Sequence, residues 1–291
     1  MAVTKRSDLI IPEILQEAVK GAFEGVTALW GTGAAKVAST LPGSVKGGDT
    51  VTVPYFGLLG ELDDVATEGD ALVPAKLTMT SETATVQHSG KAFEITSWAQ
   101  MAAFGDPYAE AARQMKEAVI RRADKALIDK AAGTPLVKDV YNASTPKTLD
   151  WDTMVDAKLL WGDEQDGIAL LVVHSKVFGD LLKLKDGQGR PLLTDPGEGK
   201  LPRFVGVPVA VSDRMPVLSE YGGAGTPDAY TSLIVKRGAL AFWFNGTPTV
   251  ETDKDILADS LVAAIHVYWV AHLYSRMPGS TKPGAVKIIT N

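Results

Sequence analysis

The sequence predicts an α+β protein, and three observations carry that expectation. Two segments that alternate apolar and polar residues flank a long acidic stretch at residues 57–74, "GLLGELDDVATEGDALVP". One helical apolar stripe runs unbroken over residues 106–133. A continuously apolar run, "IALLVVH", is followed directly by an amphipathic pattern, "SKVFGDLLKLK". With 291 residues, 45% of them hydrophobic, the chain can bury a sizeable core in one large domain or two.

In chain order, residues 11–30 read as an amphipathic helix, with Leu15, Val19, Phe23 and Val26 at helical spacing and Pro12 in the first turn. The Gly- and Ser-containing "GTGAAKVASTLPGSVKGG" after it suggests an arm rather than a core element. "DTVTVPYF" alternates at Val51, Val53 and Tyr55, as a half-buried strand does. "KLTMTSETATVQHSGKAFEITS" supplies one or two more strands, with a break expected at Ser89-Gly90. The acidic stretch is therefore the tip of a long β-hairpin.

Asp106 and Pro107 open the clearest helix, and Gly133 is expected to end it in the left-handed conformation. Tyr108, Ala111, Met115, Ala118, Val119, Ala126 and Leu127 form its apolar stripe. At 1.5 Å per residue it is roughly 40 Å long and must lie across something large. A second helix covers 150–161, and "IALLVVH" is a buried strand. Ser175 then caps the next helix. A mixed polar loop at 185–200 leads to the strands "RFVGVPVAVS", "YTSLIVKRG" and "LAFWFNG", with Asn245-Gly246 as a turn. "SLVAAIHVYWVAHLY" reads as strand because it is rich in Val, Ile, Tyr and Trp.

The net charge of −6 and the expected lack of any basic cluster predict only weak, non-specific contact with DNA. No cysteine is present, which excludes disulfides, thiolate catalysis and Cys-type zinc sites. The longest charge-free run near the C-terminus, residues 260–275, has 16 residues, and a spanning helix needs roughly 20. Pro12 and Glu13 interrupt the N-terminal apolar run too early for a signal peptide. The expectation is a protein made inside the cell, without a membrane partner.

Catalytic patterns fail on spacing. His266 and His272 on one strand would stand about 20 Å apart, too far to share a metal ion. His174 and Ser175 are sequence neighbours without a converging third group, and no G-x-S-x-G elbow occurs. "GTGAAK" follows a helix and lacks the third glycine of a dinucleotide loop. Loop 185–200 mixes Lys185, Arg190 and Lys200 with Asp186, Asp195 and Glu198, as a solvated loop does. Glu61, Asp63, Asp64, Glu68 and Asp70 miss the ligand spacing of a calcium loop. No catalytic, cofactor-binding or metal residue is assigned, and the chain does not read as an enzyme.

The order of parts resembles the tailed-phage major capsid (coat) protein of the Hong Kong 97-type fold. "EGDALVPAKLTMTSETATVQHSGKAFEITSWA" resembles the family's extended loop returning to the body. "FVGVPVAVSDRMP" is similar to its G-x-P-V strand followed by a Ser-Asp and Met-Pro turn. The helix after Asp106 resembles the spine helix. The resemblance implies an N-terminal arm (1–48), an extended β-hairpin loop (49–97) and a peripheral domain (98–145 and 241–291) with its spine helix at 106–132. It also implies an axial α/β domain at 146–240.

By the same resemblance the chain forms pentamers and hexamers of an icosahedral shell around double-stranded DNA, built in the host cytoplasm and ending in the virion capsid. Portal and decoration proteins, and a separate scaffolding protein or none, are implied partners, because no long scaffolding segment precedes the arm. An encapsulin-like protein nanocompartment shell is the alternative. Some family members cross-link a loop lysine to an asparagine. Here the tip has no lysine, Lys76 and Lys91 lie off it and Asn245 serves a turn, so no cross-link is expected. A two-stranded hairpin is marginal alone in water. The acids Glu61, Asp63, Asp64, Glu68 and Asp70 are accordingly expected to meet basic groups on a neighbouring subunit.

Overall fold

A computed structural model describes residues 29, 32–38, 50–57, 59–60, 62, 74–103, 107–194, 201–246, 249–277 and 280–291. The expected helix over 11–30 falls outside them apart from Leu29, as do Asp106 and the acidic residues of the hairpin tip. The strands are β1 (Ala35–Ala38), β2 (Thr50–Phe56), β3 (Met79–Thr85), β4 (Gln87–Thr96), β5 (Val137–Asp139), β6 (Ile168–Val173) and β7 (Arg203–Phe204). They continue with β8 (Val207–Val211), β9 (Val217–Leu218), β10 (Ala229–Lys236), β11 (Leu240–Phe244), β12 (Thr249–Asp255), β13 (Ser260–Leu273) and β14 (Ala285–Thr290). The helices are α1 (Ser97–Ala102), α2 (Pro107–Ala132), α3 (Trp151–Leu159) and α4 (Ser175–Lys183).

These strands form two sheets and a separate hairpin. In the first sheet, the 14-residue β13 pairs antiparallel with β4, β11 and β12, and β1 adds to β11 in parallel. The second sheet has the order β5-β14-β10-β6-β8-β7, with β9 beside β10. Its parallel pairs are β6–β8 and β5–β14. Among the described residues, β2 and β3 pair only with each other.

α2 ties the two sheets together. It touches β13, β11 and β4 of the first and β14 and β10 of the second. Met115, Ala126 and Leu127 from the expected stripe are buried there, joined by Ala123, Ile128 and Ala131. α3 and α4 cover the other face of the second sheet, where Met154, Trp161, Val177 and Leu181 pack against Leu171, Val209 and Ile288. Asp150 caps α3 by accepting the Thr153 N–H at 2.8 Å.

Several expectations are corrected. The strand break lies at Val86, not at Ser89-Gly90. Gly90 is needed for close approach, since a Cβ there would sit 3.0 Å from the Ile265 carbonyl oxygen. Gly133 is not left-handed. α2 instead closes through Gly133 N–H to Lys130 O and Thr134 N–H to Ala131 O, each 3.2 Å, a tightened last turn. His174, rather than Ser175, caps α4, its Nδ1 accepting the Lys176 N–H at 3.2 Å.

"RFVGVPVAVS" is not one strand. It folds back at Val205-Gly206, both with positive φ (51° and 78°), into the antiparallel pair β7–β8. Such a turn normally selects Asn-Gly, and a β-branched residue in it is uncommon. β12 and β14 were not expected as strands. Residues expected in the arm enter the core: Leu29, Ala34 and Ala35 are buried and β1 joins the first sheet. β5 and β14 come from segments expected in the peripheral unit, yet both lie in the second sheet.

Candidate assembly surfaces

Among the described residues, the apolar anchor of the β2–β3 hairpin lies at its root. Val51, Ala84 and Val86 bury themselves against Val270 with Trp243 alongside. Seven residue pairs run outward from Thr50↔Thr85 to Phe56↔Met79, and Gly57 N–H then donates to Thr78 O at 2.8 Å. Away from the root, Phe56 is 67% exposed, Met79 64% and Leu62 98%. The alternation of "DTVTVPYF" thus sets a buried root face at Val51 and leaves the outer hairpin without a core of its own. Glu61, Asp63, Asp64, Glu68 and Asp70, which the sequence reading assigns to its tip, lie outside the described residues.

A buried contact crosses the hairpin root. His272 Nε2 of β13 lies 2.9 Å from Glu82 Oε2 of β3. Burial lowers the His272 pKa below its ordinary value, and the neighbouring Glu82 carboxylate only partly opposes that. The other two histidines nearby form a separate group: His88 Nε2 is 3.1 Å from His266 Nδ1, and His88 stacks on Tyr268. His266 and His272 therefore serve different partners on one strand. Among the described residues, no group of three His, Asp or Glu side chains could hold a metal ion.

The second surface corrects the expectation of no basic cluster. Lys91, Arg113, Arg121, Arg122, Lys125 and Arg214 surround a groove on α2 that also takes in Gln114 and Glu117. Helical spacing gathers the four α2 cations along one side, and the fold delivers Lys91 from β4 and Arg214 from the loop after β8. Glu110 and Arg113 pair at 2.7 Å on the exposed helix surface, and hydrogen bonds from Arg113 and then Gln114 lower the Glu110 pKa to about 2. Glu117 bridges Arg113 and Arg121. Arg122 lies over the Trp269 ring at 5.1 Å, and Arg214 reaches the fully buried Asp124 at 2.9 Å. A helical-wheel reading of residues 113–125 would have exposed half of this surface; the contributions of Lys91 and Arg214 had no sequence signal.

A third surface is apolar. Trp98 and Met101 on α1 are each 81% exposed, and Leu257 in the β12–β13 turn is 100% exposed. Ser97 N–H donates to Asp259 O at 2.9 Å, which binds these two ends together. By contrast, the nearest approach to a catalytic cluster lacks the required order. Ser175 Oγ is 3.4 Å from His174 Nδ1, but that nitrogen also takes the helix-capping Lys176 N–H. The Ser175 hydroxyl also bonds Asp213, which lowers the Asp213 pKa first, with His174 adding to the effect. A hydroxyl between histidine and carboxylate is not a nucleophile–base–orienter chain.

A family model described as "Phage capsid protein" matches residues 78–276. The chain belongs to that phage capsid protein family. Over 97% of its length and 90% of the relative's, it is 25% identical to the major capsid protein of Bacillus phage SPP1. It is 32% identical to the major capsid protein of Staphylococcus phage phiMR11 over 154 residues, 53% of each chain. Among solved structures, the capsid of an empty GTA particle aligns with TM-score 0.66 and 15% identity over 91% of each chain. The capsid of Ralstonia phage GP4 aligns with TM-score 0.62 and 12% identity, covering 88% of this chain and 87% of that one. These capsid folds share the mixed helix and strand content of this chain. The hairpin, the α2 face and the α1 end are thus surfaces of a structural capsid-family protein.

Proposed function

We propose that the chain is the major capsid protein of a tailed phage, with the Hong Kong 97-type fold, forming pentamers and hexamers of an icosahedral shell around double-stranded DNA. The observation that carries this reading is the alignment with a phage major capsid protein along 97% of the chain. The fold supports it physically: a hairpin whose apolar anchor, among the described residues, lies at its root gains from another surface, and identical neighbours supply one repeatedly.

In this reading α2 is the spine of a peripheral unit drawn from 98–145 and 241–291, residues 146–240 form the axial unit and 1–48 the arm. β5 and β14 fasten the two units together. The hairpin tip is the intersubunit element, and Glu61, Asp63, Asp64, Glu68 and Asp70 meet cations of the neighbouring copy, setting register more than affinity. Portal and decoration proteins, and any separate scaffolding protein, meet the assembled shell, which is built in the host cytoplasm. Contact with packaged DNA is weak and goes through phosphates, without sequence preference. No observation favours a nanocompartment shell.

Electron microscopy of the purified protein under assembly conditions tests this. Closed shells are expected, with nucleic acid in particles taken from infected cells. A monodisperse small oligomer that never closes would overturn the reading.

A further inference from the structure

We infer that the β12–β13 turn of one subunit docks on the α2 face of a neighbouring copy, its Leu257 entering a cleft between α2 and the first sheet. On the capsid reading, on which this rests, identical neighbours are always at hand. The cleft measures about 430 Å³, and Met115, Val119, Ile265, Val267 and Trp269 supply its apolar floor. Its mouth adjoins the basic groove, with Lys91, Ala118 and Arg122 lining both. Among the described residues, the six cations of that groove form ion pairs only with Glu110, Glu117 and Asp124, which leaves positive charge in surplus.

The turn carries the matching chemistry. Ile256 and Leu257 are 84% and 100% exposed at its tip. Glu251, Asp253, Asp255 and Asp259 flank them, against Lys254 alone, which pairs with Asp259 at 3.6 Å. Asp255 Oδ1 accepts the Leu257 and Ala258 N–H groups at 2.9 and 3.1 Å, so the shape of the turn is set before any contact is made. An exposed aliphatic tip among carboxylates fits an apolar pocket among cations. Duplex DNA would use the cations but leave the apolar cleft empty.

A subunit cannot seat this turn in its own cleft. β13 runs from the turn to the cleft, and Ile265 lies about 17 Å along it from Ser260 at about 3.3 Å per residue. Leu257 stands further out still. Pairing with β12 on one side and β4 on the other holds that stretch extended. The contact therefore joins two different patches on two copies. A contact of that kind repeats from copy to copy, and closes where the rotation between copies allows it.

The absence of cysteine makes the test clean. Full-length subunits carrying Leu257→Cys are mixed with subunits carrying Ala118→Cys under assembly conditions, oxidised mildly, and resolved by non-reducing electrophoresis with peptide mapping. The expected result is a disulfide between the two kinds of chain, forming several-fold more slowly when Arg121→Glu and Lys125→Glu accompany Ala118→Cys. Lys91→Cys, on the exposed rim, repeats the test without altering α2 and should give the same bond. Shells like the parent's without the mixed bond overturn this inference and leave the capsid reading standing. So does an equal yield of bond from Leu257→Cys alone, which would seat turn against turn. Salt-steep duplex DNA binding by the parent that the two charge reversals abolish, with no mixed bond, would give the groove to nucleic acid. A parent that forms no shells overturns the capsid reading, and this inference with it.

Discussion

At the scale of single residues, two buried polar groups do work that their neighbours in sequence do not reveal. Asp124 is fully buried, accepts the Leu29 N–H and meets Arg214, so it joins α2, the entering chain and the loop after β8. Asp124→Ala should cost about 1–3 kcal/mol, because it leaves a buried N–H without its acceptor. Asp124→Asn, which keeps an acceptor, should cost less; equal losses in urea denaturation would mean that the contact to Leu29 contributes nothing. His272 makes a different prediction. Its folded pKa lies below the unfolded value of 6.5, so the unfolded chain takes up the proton first. Stability is therefore complete above pH 6.5 and falls as the pH drops from there toward the folded pKa. Thermal melts between pH 8 and 5 should show that slope, and His272→Gln should flatten it. A parent whose stability rises on acidification through this range would refute the assignment.

At the scale of elements, α2 shows how far periodicity alone can be trusted. Its extent differs from the expected 106–133 by no more than end residues, because its apolar positions keep helical spacing and no internal glycine or proline interrupts them. Met115 is 4% exposed between α2 and the first sheet. Met115→Asp should cost roughly 3–5 kcal/mol by burying an unpaired charge. Soluble, assembly-competent protein from that variant would show that the face is wrongly assigned. β13 was legible for a related reason, since its β-branched and aromatic content suits a pleated surface. The turn at Val205 was not legible. Valine has no local preference for positive φ, and the turn exists because Phe204 and Val207 are both held in the core beside Val209.

At the scale of the whole molecule, the hairpin separates folding from assembly. Replacing residues 58–72 by a tight Asn-Gly turn removes the tip and leaves the root contacts of Val51 and Ala84 with Val270 in place. Loop length changes closure entropy by only about 0.6 kcal/mol per doubling. The subunit should keep its circular dichroism spectrum and most of its thermal stability, while sedimentation under assembly conditions should show no shells. Shells identical to the parent's would make the tip an ordinary surface loop. The exposed end formed by Trp98, Met101 and Leu257 is a second place where a lone subunit carries apolar surface that a neighbour can cover.

What the sequence determined by itself was whatever local periodicity and composition control. That covers the α+β class, the paired strands β2 and β3 of the hairpin, the long α2, the buried β6 and the lack of cysteine chemistry. What only the tertiary structure decided depends on residues far apart in the chain. β1 became a core strand because Ala35–Ala38 meets the edge of β11 more than 200 residues later. β14 became a strand because the gap between β5 and β10 admits one. The basic face exists because the fold brings Lys91 and Arg214 to the cations of α2. A pattern of residue types records which side of an element is apolar; it does not record which distant element will cover that side, because that choice is made by packing.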